Sequence, residues 1–128
     1  MQLNALSIVY PAATRIAEGT KTLEIRSWKP PIVPLLNLVI VENHRRLDRD
    51  GDCDPEGSAV ALIDIVAVRD WTEEDAQRDG HTFTPGYHAW IIANVRRIDP
   101  PLSVPAERLI YAVDLPRELL PLPDLPCR

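Results

Sequence analysis

Thirteen prolines in 128 residues, roughly twice the usual share, limit what this chain can fold into more than any other feature. They cluster at Pro30–Pro34, Pro100–Pro105 and Pro116–Pro126. Each proline removes a backbone donor and fixes φ, so the clusters exclude long helices and punctuate strands. The stretches between them read as strands: "ALSIV" from Ala5, "KTLEIRSW" from Lys21, "PLLNLVIVEN" from Pro34, "SAVALIDIVAVRDW" from Ser58, "GYHAWIIANVRRI" from Gly86 and "RLIYAVDL" from Arg108. The fourth is apolar on both faces apart from Asp64. Two short helices interrupt the series. Pro11 to Glu18 has Ala13, Ile16 and Ala17 on one face, a proline at its first position and Gly19 where a left-handed residue closes a helix. "TEEDAQRDG" has Thr72 placed to cap and Asp75 to reciprocate. Strands mostly follow one another through turns, which predicts a mainly β fold with short helices (α+β), closed as an antiparallel barrel.

The domain is expected over residues 1–115, with residues 116–128 a proline-rich tail without periodicity. Leu119, Leu120, Leu122 and Leu125 in that tail are costly to expose. A disordered tail is one reading; packing of these leucines along the barrel, or along a second subunit in a homodimer, is the favoured one.

Apolar residues make up 45% of the chain, enough for a real core, while the net charge of −5 argues against a general nucleic-acid coat. A local positive pocket for one nucleotide is compatible with that charge. Two cysteines, Cys53 and Cys127, form no CxxC pair, and His44, His81 and His88 share no ligand spacing. No disulfide framework, metal site or cofactor is expected, and a reducing cytoplasm is the simplest compartment. The acidic loop "DRDGDCDPEG" fails the calcium-loop pattern, because the twelfth position counted from Asp52 is Ile63 and not Glu. No signal peptide or membrane span is expected, since "PPIVPLLNLVIV" is broken by Pro34 and Asn37.

The chemistry concentrates in "EGTKTLEIRSW", Glu18 to Trp28. Period two puts Leu23 and Ile25 on one face and Glu24, Arg26 and Trp28 on the other. Lys21 has a stem long enough to join Glu24 and Arg26. Taken alone, these residues describe a surface salt-bridge cluster, which stabilises little. As a pocket, Lys21 and Arg26 would offer donors to a phosphate or base carbonyl, Glu24 would accept from a base N–H, and Trp28 or Tyr10 would stack.

The run "LSIVYPAATRIAEGTKTLEIRSW" resembles the opening of the ASCH domain family, through Pro11, Ala13, Gly19, Lys21, Glu24 and Arg26. "AWIIANVRRIDPP" is similar to a later strand of that family, through Trp90, Asn94, Val95 and Arg96. The resemblance implies a PUA-like β-barrel with a flanking N-terminal helix and a cleft lined by the charged motif. It implies RNA, nucleotide or modified-nucleoside binding through that cleft, with Lys21, Glu24 and Arg26 of the motif lining it and Trp28 or Tyr10, on their own chemistry, the stacking candidates. The alternative it carries is a hydrolase acting on RNA or on an acylated nucleoside, as in the acetylcytidine amidohydrolases of the family. Their Lys and later acid would correspond to Lys21 and Asp79. Their Thr position holds Glu24, so water-mediated deacylation with Glu24 or Asp79 as base is the form left open.

Overall fold

The computed structural model describes residues 1–122. Among the described residues eight strands form: β1 Gln2–Val9, β2 Leu23–Arg26, β3 Leu35–Asn43, β4 Cys53–Asp54, β5 Ser58–Asp70, β6 His88–Ser103, β7 Ala106–Glu107 and β8 Ile110–Asp114. Two short helices join them, α1 Ala12–Ala17 and α2 Glu73–Asp79. Six strands make one sheet in the order β2-β6-β5-β3-β1-β8, and β4 pairs with β7.

This sheet corrects two expectations. β1 and β3 run parallel, with Ala5 opposite Val39 and Val9 opposite Asn43, so the sheet is mixed and not antiparallel throughout. No ladder joins β2 to β8 among the described residues, so a closed barrel is not formed by backbone pairing. The chain inserts β2 at the far edge, beside β6, before returning to lay β3 next to β1. Local periodicity sets which residues face inward, but it does not choose a strand's long-range partner. β6 also runs through Pro100 and Pro101 to Ser103. Its register against β5 jumps from Arg97–Ala61 to Leu102–Ala59, so both prolines fall in an irregular stretch where no ladder donor is required.

The central strands are apolar on both faces because each face has its own core. Leu6, Ile8, Leu38, Ile40, Ile63, Ile65 and Trp90 pack with Ala13, Ile16 and Ala17 of α1. On the other face Ala5, Val39, Val41, Leu62, Ile98 and Val113 pack together, and Leu115, Leu120 and Leu122 close over them. Leu119 is exposed, and Leu125 and Cys127 lie outside the described residues. A third cluster, Trp71, Ala76 and Ala89, takes Leu23 and Ile25 of β2 on its edge.

Asp64 is only 8% exposed, and it sits where β3, β5 and β6 bulge together. Its Oδ1 accepts from the Asn37 N–H at 3.0 Å and Arg96 Nη2 at 2.7 Å, and its Oδ2 accepts from Asn94 Nδ2 at 2.8 Å. Asn37 and Asn94 adopt left-handed φ values of 55° and 54°, which asparagine tolerates better than most residues. Burial pushes the Asp64 carboxyl up, but these donors outweigh it and hold it below the ordinary aspartate range.

α2 begins with a complete capping box. The Thr72 hydroxyl accepts from the Asp75 N–H at 3.1 Å, and Asp75 Oδ2 accepts from the Thr72 N–H at 2.9 Å. Asp75 also receives Arg69 through both amino groups and Arg78 through one. Hydrogen bonds from Arg69, then from Thr72, hold its carboxyl far below the usual range.

Candidate functional site

Strand β2 positions the charged motif. Leu23 and Ile25 lie against the α2 cluster, which turns Glu24 and Arg26 to the opposite face. Glu24 is 6% exposed, and a carboxylate so far from water is costly without partners. Arg26 supplies Nη2 at 2.9 Å and Nε at 3.2 Å, both to Oε2. Lys21 Nζ stands 3.6 Å from Oε1 and donates to the Leu23 carbonyl at 2.6 Å. Oε1 therefore accepts no hydrogen bond from the described residues, and Arg26 Nη1 donates none.

Arg26 Nη2 also reaches the Ser7 carbonyl on β1 at 3.2 Å. β2 and β1 are far apart in sheet order, so this contact marks where the curled sheet nearly meets itself. A cleft of about 660 Å³ opens along that seam. Ser7 and Val9 of β1, Glu24 and Arg26, then Ser27, Trp28 and Tyr87 line it, with Asn43, Arg46, Asp48 and Arg108. Trp28 is half-buried and walls the cleft. Its ring stands perpendicular to that of Trp90, 5.0 Å away, and the Arg26 guanidinium lies 6.0 Å from its centroid. Trp90 Nε1 donates to the Trp28 carbonyl and fixes this corner.

Lys21 and Asp79 line a second hollow of about 570 Å³, with Arg15, Thr20, Arg69, Arg78 and His81. The expected site is thus split across β2. Glu24, Arg26 and Trp28 share the first cleft, while Lys21 and Asp79 share the second. Tyr10 lies outside the lining of both, exposed, with its ring 5.3 Å from that of His44.

Arg46, Arg108, Asn43 and Tyr87 are cleft residues that sequence reasoning did not find. Arg46 lies in a segment that reads as solvated loop. The β4–β7 ladder, Cys53 opposite Glu107 and Asp54 opposite Ala106, brings that loop beside Arg108. Two-residue strands leave no periodic signal in a sequence. Arg108 is itself ion-paired with the exposed Asp50. Asn43 donates to the Arg45 carbonyl, and its buried Oδ1 has no partner among the described residues. No group of three His, Cys, Asp or Glu side chains among those residues is placed to hold a metal ion. No helix among them is long and apolar enough to cross a membrane.

No curated protein matches the chain. Two similar solved structures are an ASCH protein from Zymomonas mobilis and a serine-to-alanine mutant of the ASCH protein from that organism. The first, at 18% identity and TM-score 0.54, covers 91% of this chain and 89% of that one. The second, at 17% identity and TM-score 0.54, covers 78% of this chain and 72% of that one. At such identity the likeness speaks for the fold alone. The family model for the ASCH domain matches residues 6–102, a span that takes in both the β2 motif and the Trp90–Arg96 stretch, and the chain belongs to the ASCH domain family.

Proposed function

We propose that the first cleft binds the base of a nucleotide, a modified nucleoside or a single-stranded RNA segment. The observation that carries this reading is the edge formed by Glu24 and Arg26. It is a buried carboxylate with one oxygen free of hydrogen bonds, beside a guanidinium with one free amino group. Each of the two groups keeps hydrogen-bonding capacity, an acceptor on Glu24 and a donor on Arg26, of the kinds that base edges pair with. Lys21 and Arg26 together give the buried carboxylate its counter-charges. Trp28 and Tyr87 supply aromatic surface, and stacking on an aromatic ring is worth about 1–3 kcal/mol per base.

Titration with nucleosides and short RNAs tests this reading. The double variant Lys21→Ala with Arg26→Ala is expected to lose binding; because it also strips the buried Glu24 of both partners and β1 of the Arg26 contact, thermal melting separates lost binding from lost fold. Unchanged affinity in that variant discards the assignment.

Hydrolysis of RNA or of an acylated nucleoside is a second reading. Lys21 and Asp79 support it by sharing the second cleft with His81. Incubation with acetylcytidine and with a short labelled RNA separates the two readings. Turnover that vanishes in Asp79→Asn while binding persists identifies an enzyme, and no turnover by the unmodified protein removes the hydrolytic reading.

A further inference from the structure

The second cleft contrasts with the chain around it. The protein carries a net charge of −5, yet four cations, Arg15, Lys21, Arg69 and Arg78, line this hollow against one lining carboxylate, Asp79. Asp75, just behind, is held ionised by its donors and offsets one of those charges.

The four cations are not equally engaged. Both Arg69 amino groups grip Asp75, and the Lys21 ammonium serves the Leu23 carbonyl and Glu24. Arg78 gives Asp75 only Nη2 and is 64% exposed. The Arg15 guanidinium makes no hydrogen bond or ion pair among the described residues. Arg15 and Arg78 each sit in the last turn of a helix, where a cation complements the helix dipole. That accounts for a cation on each helix. It does not account for two separate helices bringing arginines to the lining of one hollow, one unpaired among the described residues and the other with only Nη2 engaged. Forked donors around a concave surface suit the oxygens of a phosphate.

The two clefts are also neighbours. Ile25 lines both, and the Lys21–Glu24 ion pair joins them across β2. Lys21 and Glu24 lie three positions apart in the chain, and their charged groups stand 3.6 Å apart. We propose that the second cleft binds a backbone phosphate next to the nucleotide whose base enters the first, so that the ligand is a single strand crossing β2. Arg15 and Arg78 are the phosphate donors, and Lys21 links the two subsites through Glu24. The strand assignment rests on the base-binding reading above; the phosphate site rests on the cations alone.

The test compares each of the four nucleosides with the matching four-nucleotide RNA, in the full chain and in the double variant Arg15→Glu with Arg78→Glu. The RNA is expected to bind about tenfold more tightly than the nucleoside at low salt, as two phosphate contacts predict. Charge reversal should remove that gain, flatten the slope of log affinity against log salt by about 1.4, and leave nucleoside affinity unchanged. The neutral pair Arg15→Gln with Arg78→Gln should lose a smaller share, and thermal melting checks that each variant is folded. RNA affinity and salt slope that survive charge reversal overturn the proposal. Nucleoside binding without any gain for RNA also overturns it and leaves base binding standing. RNA binding that is sensitive to Arg15 and Arg78 but indifferent to Trp28→Ala retains the phosphate site and refutes the base reading. Failure of nucleoside and RNA alike overturns both.

Discussion

Replacing Asp64 with alanine should destabilise the protein by about 3 kcal/mol. The carboxylate gathers three donors, the Asn37 N–H, Asn94 Nδ2 and Arg96 Nη2, at 2.7 to 3.0 Å. A hydrogen bond to a charged group contributes roughly 1.5–3 kcal/mol, and an orphaned buried N–H costs about 1–3. Full removal would exceed 3 kcal/mol if none of the donors found a substitute. Arg96, however, has a side chain 24% exposed and keeps the Asn37 Oδ1 and Asn94 carbonyl as acceptors, so its share is discounted for solvent. At about 2.1 cal/mol/K per residue of unfolding entropy, 3 kcal/mol lowers the Tm by roughly 11 °C. Urea denaturation with an unchanged m-value measures the loss directly. The folded-state carboxyl lies below its unfolded value, so its stabilisation is present above about pH 4 and fades as pH falls through the lowered folded value. Asp64→Asn, which cannot titrate, should lose less than alanine and should show a shallower fall in that acid window. A loss under 1 kcal/mol for Asp64→Ala, or acid profiles that coincide for Asp64→Asn and the unmodified protein, would refute this account of the bulged junction.

Gly57→Ala should cost roughly 2–3 kcal/mol, because the added Cβ would stand 2.5 Å from the Val104 carbonyl oxygen and 2.9 Å from Val41 Cγ1. A urea midpoint within error of the parent would count against that packing. Thr72→Ala should lower stability by about 1 kcal/mol through loss of the cap on α2, read as a fall in thermal midpoint; Arg69 keeps Asp75 in place, so a collapse of the fold would contradict the assignment.

The amino-acid pattern exposes some of this architecture plainly. Alternation in "KTLEIRSW" separates Leu23 and Ile25 from Glu24 and Arg26, and β2 presents those two faces to different surroundings. Thr72 and Asp75, three apart, make the cap their chemistry suggests. The double-sided apolar run from Ser58 is the strand buried by a core on each face, with Asp64 satisfied by its neighbours. What the pattern lacks is pairing. The parallel β1–β3 ladder joins segments separated by a helix and another strand, and no residue in either one records its partner. The division of Lys21 from Arg26 into two clefts has the same origin, since it depends on what packs against each side of β2. Arg46 and Arg108 join the first cleft through a ladder only two residues long.

The contact from Arg26 to the Ser7 carbonyl lies where two strand edges approach without exchanging backbone hydrogen bonds. A side chain does there what a ladder does elsewhere, and the same side chain faces the hollow. Any guest that draws the guanidinium toward itself unbuttons the molecule at that point and must refasten it with its own atoms. Occupancy and rigidity are therefore linked at this margin, and a guest that fills the space without replacing the bond to β1 leaves the margin looser than it found it.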